Sequence, residues 1–353
     1  MARVVIAMSG GVDSSLAAAL LKEQGHEVTG IMLRLWAEES CQNNRCCTPQ
    51  AVEEAQLIAD QIGIPFYVFD YKQAFFEAVV QPFVQSYEQA QTPNPCILCN
   101  ERVRFGQLLA EARDLGAEFL ATGHYVRLVQ EQETWWIHQG ADREKDQSYM
   151  LYSLTQEQLR HCLFPLGGMN KQTTRALAAE RGLAVSSKPD SQDLCFLGDD
   201  GLPAFLHRHG HNLSKPGEIV DLQGNLLGRH QGLEGFTVGQ RKGIGISHPV
   251  PLYVVALDQA QNRLVLGEQP ARQKTKLLLE QVHFPSLKPQ GEIEVQLKVR
   301  YTAPMIQAQL HPLGPGQWVA MLEQPCQDPA PGQSAVFYQG ERLWGGGFIS
   351  QTS

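Results

Sequence analysis

The sequence predicts an α/β chain: a parallel, helix-covered sheet first, then a small middle module, then a compact β-barrel. Three observations predict it. Up to Gly123-His124, apolar strand-like runs alternate with helical runs, the pattern of repeated βα units. Past residue 210 helical periodicity fades, and short strands separated by glycine turns take over. Glu292 to Arg300 then alternates polar and apolar residues without a break, the period of a half-buried strand. The expected domains are 1–209, 210–275 and 276–353.

The elements follow in order. Val4-Val5-Ile6-Ala7-Met8 reads as a buried strand, and Leu16 to Leu21 as the apolar wall of a helix ended by Gly25. Val28 to Leu33 is a second strand. Thr48 and Pro49 suit an N-cap and first helical residue, and the helix runs through Ala51, Ala55, Leu57 and Ile58 until Gly63 stops it. Phe66 to Phe69 is a third strand, followed by a helix around Phe75 to Tyr87. After a proline-punctuated loop, another helix runs from about Arg102 to Leu115. Phe119 to Thr122 is a fourth strand, ending at Gly123-His124. Leu252 to Leu257 and Ala335 to Tyr338 are later strands, and Gly345-Gly346-Gly347 marks a bend or bulge.

Composition narrows the function classes. The chain has 353 residues, 43% hydrophobic and 19% charged, as expected of a folded protein. Lys+Arg 29 against Asp+Glu 37 gives a net charge of −8, which excludes a uniformly basic surface. A polyanion would have to be met by a local basic patch. No apolar run approaches the ~18 residues of a membrane span. Met1-Ala2-Arg3 does not begin a signal peptide, so a cytoplasmic location without membrane attachment is expected. There, the 8 cysteines are expected as thiols, ligands or catalysts rather than a disulfide framework.

Ser9-Gly10-Gly11-Val12-Asp13-Ser14-Ser15 joins the first strand to the first helix. Free N–H groups of a first helical turn point outward, and the helix dipole favours an anion there. Gly10 and Gly11 permit positive φ and close backbone approach. Ser9, Ser14 and Ser15 offer hydroxyl donors, and Asp13 is suited to orient the loop or a magnesium ion. The bland alternative is a serine-capped helix after a glycine turn. This is not a Walker A loop, because no Gly-Lys-Ser or Gly-Lys-Thr occurs in the chain. The heptad instead resembles the pyrophosphate loop (PP-loop) of ATP pyrophosphatases, which implies an adenine nucleotide α-hydrolase-like first domain that binds ATP and releases pyrophosphate.

Thr92-Pro93-Asn94-Pro95-Cys96-Ile97-Leu98-Cys99-Asn100 places a C-x-x-C just before a helix, where the helix N-terminus favours a thiolate. Far along the chain, Asp190-Ser191-Gln192-Asp193-Leu194-Cys195-Phe196-Leu197 presents a lone cysteine after a polar loop. These motifs occur in one order with A-T-G-H-Y (Ala121 to Tyr125), K-D-Q-S-Y (Lys145 to Tyr149), S-K-P-D-S-x-x-x-C-F (Ser187 to Phe196) and F-T-V-G-Q-R-K-G (Phe236 to Gly243). Together they resemble the bacterial tRNA-specific 2-thiouridylase family over nearly the whole chain.

That resemblance implies an ATP-dependent sulfurtransferase that adenylates the C2 oxygen of the wobble uridine in tRNA and replaces it with sulfur. It makes Cys195 the persulfide carrier and Cys99 the nucleophile, the two ending as a transient disulfide. Asp13 joins them as a catalytic residue. Ala7, Met8, Ser9, Gly10, Gly11, Val12, Asp13 and Ser14 would bind ATP phosphates with Mg2+, and Leu33 and Gly123 the adenosine. Asn94, Pro95 and Cys96 would face a flipped target base. His124, Lys145, Asp146, Gln147, Arg300, Tyr301 and Gln333 would contact tRNA. The implied partners are the tRNAs for Lys, Glu and Gln and a persulfide-carrying sulfur donor protein.

Some readings stay open. Some family members carry aspartate where this chain has Cys96, so an acid–base role does not transfer to it directly. Cys96, Cys99 and Cys195 are also a candidate three-thiolate set for an iron–sulfur cluster, whereas a zinc site lacks four clearly spaced ligands. Cys41, Cys46 and Cys47 read as spare thiols rather than a metal loop, and Cys162 and Cys326 as packing residues. Arg143 to Asp146 is a mixed-charge surface segment by composition. Arg241-Lys242 is either a solvated turn or a holder of tRNA phosphates, which charge alone does not decide. The rival functions are a PP-loop amidotransferase, which has no use for Cys99 and Cys195, and a non-catalytic ATP- and tRNA-binding protein.

Overall fold

Val4, Val5 and Ile6 are buried because β1 (Arg3–Ala7) runs through the middle of a parallel sheet. The computed structural model describes residues 1–38, 48–188, 194–210 and 215–353. By its contacts the described chain divides into two compact units. The first comprises Met1–Val80, Cys96–Asp199 and Glu341–Leu343, and the second comprises Gln81–Pro95, Asp200–Gly340 and Trp344–Ser353.

In chain order, β1 is followed by α1 (Val12–Glu23), β2 (Glu27–Arg34), α2 (Pro49–Ile62) and β3 (Phe66–Asp70). Next come α3 (Lys72–Phe75), a wide i→i+5 turn (Phe76–Val80) and α4 (Gln81–Glu88). Then follow α5 (Pro95–Leu98), a π-helix (Cys99–Leu108), α6 (Leu109–Asp114) and β4 (Phe119–Ala121). The hairpin β5 (Val126–Glu131) and β6 (Thr134–Gln139) precedes α7 (Gln156–Leu159), β7 (Cys162–Leu163) and α8 (Lys171–Glu180).

The sheet order is β3-β2-β1-β4-β7, with every pair parallel. The chain builds outward from β1 through β2 to β3, then returns to the other side of β1 with β4. The switch point between β1 and β4 is where sheets of this kind open a crevice at their carboxyl ends. Ala17 and Ala18 on α1 are fully buried beside Ile6 and Leu16, so the helix lies close against the sheet. Thr48 caps α2 as its sequence suggests: its Oγ1 accepts from Ala51 N at 3.2 Å, Pro49 starts the helix, and Gly63 ends it at φ 75°.

One expectation needed correction, and one element carried no expectation at all. Helix begins at Pro95, not near Arg102, because a proline with fixed φ serves as a first helical residue. Cys96 and Cys99 therefore lie within helical turns rather than ahead of them. The β5–β6 hairpin was unmarked in sequence: its turn places Gln132, not a glycine, at φ 55°.

In the second unit α9 (Gly201–His209) leads to β8 (Gly217–Val220), β9 (Leu226–His230), β10 (Tyr253–Asp258) and β11 (Arg263–Gly267), which form a sheet in the order β10-β11-β8-β9. Six further strands are β12 (Gln273–His283), β13 (Ile293–Lys298), β14 (Ile306–Gly314), β15 (Gln317–Gln327), β16 (Ser334–Gln339) and β17 (Arg342–Thr352). They run in the order β12-β15-β14-β13-β16-β17, and β12–β17 pairing closes the barrel. Leu277, Val295, Leu297, Leu310, Trp318 and Phe337 fill it. Closure leaves no open edge in the barrel. Gly345 and Gly347 lie where the β12–β17 register shifts, and a Cβ at Gly345 would sit 2.3 Å from His283 O, which explains the glycine run. The predicted parallel sheet, middle module and barrel are thus all present. No helix among the described residues is long and apolar enough to cross a membrane.

Candidate active site

The loop after β1 turns at Gly10, whose φ of 68° suits glycine. Gly11 is the N-cap of α1 and brings no side chain to cap it, so the first-turn N–H groups stay available to an anion. The serines are less available than their sequence suggests. Ser14 Oγ and Ser15 Oγ donate back to Gly11 O at 3.2 and 2.9 Å, and Ser14 Oγ accepts from Ser9 N at 3.2 Å. They brace the loop, and only Ser9 is exposed.

Two lysines from distant sequence reach this loop and its neighbours. Lys171, the first residue of α8, sets its Nζ 2.8 Å from both carboxylate oxygens of Asp13. Lys188 Nζ lies 3.2 Å from Gly10 O and 2.6 Å from Glu54 Oε2. Tyr125 Oη donates to Asp13 Oδ1 at 2.7 Å and sits 3.0 Å from Thr174 Oγ1. Asp13 is thereby a loop-orienting residue. Both of its oxygens accept hydrogen bonds, and among the described residues no three His, Cys, Asp or Glu side chains gather around it.

A pocket opens at the switch point. Ala7, Met8, Ser9, Asp13 and Ser14 form one wall, Ile31, Met32, Leu33 and Leu35 an apolar side, and Thr122, Gly123, His124, Gln147 and Arg104 the rest. The apolar side suits a nucleobase, and the loop side suits phosphates. Gly10, Gly11 and Val12 stand behind this wall in the loop itself. Gly123 is pressed against the loop: a Cβ there would fall 2.9 Å from Asp13 C and Ser14 N. Both neighbours are backbone and cannot swing aside. Gly123→Ala is therefore expected to weaken ATP binding at least about tenfold while leaving the chain folded, as read by calorimetric titration and melting temperature. Unchanged affinity would show that the loop yields freely.

His124 is buried and pairs Nδ1 with Thr122 Oγ1 at 2.7 Å. Burial, helped by the positive charge of Arg104, drives its pKa down to about 3. It stays neutral in the fold, while an unfolded chain binds a proton below the ordinary histidine value of about 6.5. The sign follows: as the pH drops from about 6.5 to 3, stability drops too, by at most about 1.4 kcal/mol per pH unit from this residue. His124→Gln should flatten the pH dependence of denaturant-unfolding free energy in that window. An identical slope in the variant would mean that the ring titrates normally.

The Lys145-Asp146-Gln147 segment divides its tasks. Asp146 is 3% exposed. Its oxygens accept from Gly140 N, Ser148 N, Ser148 Oγ and Gln139 Nε2 at 2.9 to 3.1 Å. That carboxylate positions the segment and is not open to contact RNA, contrary to the expectation from sequence. Gln147 exchanges hydrogen bonds with the Tyr125 backbone at 3.0 and 3.1 Å and reaches the pocket. Lys145 is half-buried.

Cys99 opens the π-helix and is 8% exposed. Residues five apart lie close together in a helix of i→i+5 hydrogen bonds, so Cys99 and Arg104 share one side of it. Arg104 Nη1 lies 3.5 Å from Asn100 Oδ1, and Asn100 Nδ2 donates to Met150 O at 3.2 Å. Cys96 is exposed, yet the protein packed around it pushes its pKa above that of an ordinary thiol, with Arg104 pulling the other way. Cys195 is half-exposed. Its neighbour Phe196 is buried edge-on against Phe75 at 5.9 Å, which fixes the Cys195 turn to α3, and α3 packs on the π-helix. None of the three is disulfide-bonded, and among the described residues no three His, Cys, Asp or Glu side chains gather into a metal-holding group. Burial pushes Cys326 up to about 11 and Cys162 higher still, as for packing thiols. Cys41, Cys46, Cys47 and Asp190 to Asp193 lie outside the described residues.

Three family models match in the order of these parts. The "tRNA methyl transferase HUP domain" covers residues 2–199, the "tRNA methyl transferase PRC-barrel domain" 203–268 and the "Aminomethyltransferase beta-barrel domain" 274–349. A tRNA-specific 2-thiouridylase MnmA from Magnetococcus marinus is 46% identical over 352 residues, covering 98% of each chain. The chain belongs to the MnmA family. A second MnmA relative, from Caldanaerobacter subterraneus subsp. tengcongensis, is 43% identical over 99% of this chain and 98% of its own. A solved 4-thiouridine synthetase–RNA complex with bound ATP overlaps 59% of this chain and 49% of that one, at 15% identity and TM-score 0.35, a likeness too loose to carry any argument.

In this MnmA-family chain the second unit holds the remaining expected contacts. Thr92 N donates to Pro331 O at 2.9 Å and Gln333 Nε2 donates to Thr92 O at 2.7 Å, so the barrel moors the loop that carries Asn94 and Pro95. A Cβ at Gly332 would meet Thr92 N at 2.9 Å, which requires glycine there. Arg300 donates to the backbone oxygens of Asp328 and Val238, and Tyr301 is half-buried beside it. Sequence reasoning missed Arg104, Lys171, Lys188 and Thr174 as parts of the MnmA pocket and its brace. Lys188 stood inside a quoted motif; the others had no local signal.

Proposed function

We propose that this MnmA-family chain is an ATP-dependent tRNA sulfurtransferase that makes 2-thiouridine at the wobble position. The observation that carries the reading is Arg104. It lines the pocket behind the PP-loop, and its charge acts on both His124 of that pocket and Cys96 of the C-x-x-C. Activating pocket and thiol motif therefore share one cation on one helix.

The division of labour follows. The α1 N-terminus, with Lys171 and Arg104 near it, suits the phosphates of ATP. Gly123 permits close approach, and neutral His124 supplies a hydrogen bond without adding charge. The uridine C2 oxygen attacks the α-phosphorus, pyrophosphate leaves, and a poor leaving group becomes AMP. The outer sulfur of a Cys195 persulfide then supplies the nucleophile. In one route it bonds to C2 and displaces AMP, and Cys99 thiolate then attacks Cys195 Sγ, leaving sulfur on the base. In the other, Cys99 first releases hydrosulfide from Cys195, and the hydrosulfide displaces AMP. Either way a Cys99–Cys195 disulfide forms, and a dithiol reductant must supply two electrons to reopen it. Asn94, Pro95 and Cys96 would face the extruded base, and Lys145, Arg300, Tyr301 and Gln333 the surrounding tRNA. The tRNAs for Lys, Glu and Gln are the proposed substrates, a persulfide-bearing protein the sulfur source and the cytoplasm the setting.

The test combines unmodified tRNA, ATP, the protein and a persulfide donor, and follows pyrophosphate release and nucleoside mass. Expected are tRNA-dependent pyrophosphate and one 2-thiouridine per tRNA. Protein with Cys195 shown by mass spectrometry to be persulfidated, yet forming no 2-thiouridine on any of the three tRNAs, overturns the proposal. An amidotransferase would instead release pyrophosphate with a carboxylate substrate and ammonia.

A further inference from the structure

Arg241 and Lys242 follow a rigid root. Gly239 N donates to Val254 O at 2.8 Å and Val254 N to Gln240 O at 2.9 Å, tying residues 239 and 240 to β10. Gln240 closes the turn from both sides: its Oε1 accepts from Thr237 N at 3.0 Å and its Nε2 donates to Lys242 O at 2.9 Å. Gly239 packs so tightly on Asp328 that a Cβ would sit 2.6 Å from the carboxyl carbon.

Beyond this root the chain forms a concave loop lined by Arg241, Gly243, Gly245, Ile246, His248 and Leu252. Gly243 and Gly245 hold φ of 76° and 79° on either side of Ile244. Left-handed residues alternating with others turn successive peptide N–H groups toward one side, as in anion-binding nests. Among the described residues no acceptor is found for the backbone N–H groups of residues 241–248. Arg241 has no acidic partner among them either, and no carboxylate lines the loop. In a chain of net charge −8, this is a local exception: a guanidinium, a histidine and a run of unclaimed peptide donors on a fixed base.

We propose that this loop binds a backbone phosphate of the bound tRNA. The assignment rests on the thiouridylase reading for its partner. A phosphodiester fits better than a free anion because Arg241, Gly243, Gly245 and His248 are all exposed, giving a shallow cradle that a strand can cross. The guanidinium takes two phosphate oxygens, and the peptide N–H groups fix its position without reading a base.

The test is fluorescence anisotropy of labelled, unmodified tRNA over a range of KCl concentrations, with wild type, Arg241→Gln and Arg241→Lys. Arg241→Gln should bind about tenfold more weakly near physiological salt, with the slope of log K against log salt smaller by about 1. Arg241→Lys should keep the wild-type slope with intermediate affinity. The melting temperature should stay at the wild-type value, because the side chain is exposed. Wild type that thiolates tRNA while Arg241→Gln matches its affinity and slope overturns this site alone. Wild type that neither binds nor thiolates tRNA overturns the thiouridylase reading and the site with it. A second arm titrates pyrophosphate into tRNA-free protein and follows the His248 ring by NMR. Saturation below about 1 mM, with tRNA binding insensitive to Arg241→Gln, would assign the loop to a free anion and overturn the RNA proposal.

Discussion

Cys99→Ser and Cys195→Ser each lower tRNA thiolation by on the order of 10³-fold or more, while ATP binding stays within about twofold of wild type. The two variants fail differently. Cys195→Ser cannot be loaded with sulfur, so intact-mass analysis shows no persulfide at that turn. Cys99→Ser loads normally and stalls with the sulfur still on Cys195, as the persulfide if hydrosulfide release comes first, or as a Cys195–S–S–C2 adduct with the tRNA if the persulfide attacks the base directly. Cys99 is nearly buried and packed, so a hydroxyl of similar size keeps the fold. The nucleotide pocket contains neither cysteine, which is why ATP binding is spared. Equal thiolation by Cys99→Ser and wild type would remove Cys99 from the chemistry. A stalled persulfide on Cys99 rather than Cys195 would exchange their roles.

Asp13→Asn gives the second large effect: tRNA-dependent pyrophosphate release falls on the order of 10²- to 10³-fold. The carboxylate is held by Lys171 and Tyr125, and its removal leaves a lysine whose side chain is 13% exposed without its counter-charge. Asp13 is itself a third exposed, so solvent screens the pair, and the stability loss should be only about 1–2 kcal/mol. The paired substitution Asp13→Asn with Lys171→Met separates the two consequences. Stability should return toward wild type because both charges are gone, whereas pyrophosphate release should not. Recovery of activity in the double variant would reduce Asp13 to a neutraliser of Lys171.

What was legible in sequence was whatever local chemistry writes down. Thr48, Pro49 and Gly63 mark α2 because caps and stops use particular residues, and the alternation through Val295 and Leu297 marks a barrel strand because inside and outside differ. Ser9, Asp13, Ser14 and Gly123 announced themselves through motifs, and all four line the pocket. Lys171 was invisible because its meaning lies in reaching Asp13 across 158 positions of sequence. Arg104 was hidden because a π-helix, rather than its own neighbours, puts it on the side of Cys99. Asp146 misled in the opposite sense. A charged residue in a polar motif looked like surface, yet four donors from Gln139, Gly140 and Ser148 take it inside.

The mooring of Thr92 by Pro331 and Gln333 has a consequence for the order in which the protein is made. The two ends of the Gln333–Thr92 hydrogen bond are 241 residues apart, so the motif leaves the ribosome roughly 12–50 seconds before its anchor at ordinary elongation rates. Throughout that interval the Thr92–Pro95 stretch lacks those two bonds, whatever the state of the sheet. A nascent or prematurely terminated chain can carry Cys96, Cys99 and Cys195 and still lack the hydrogen bonds that moor the preceding loop. The mooring of this loop thus arrives late, with the last strands of the barrel.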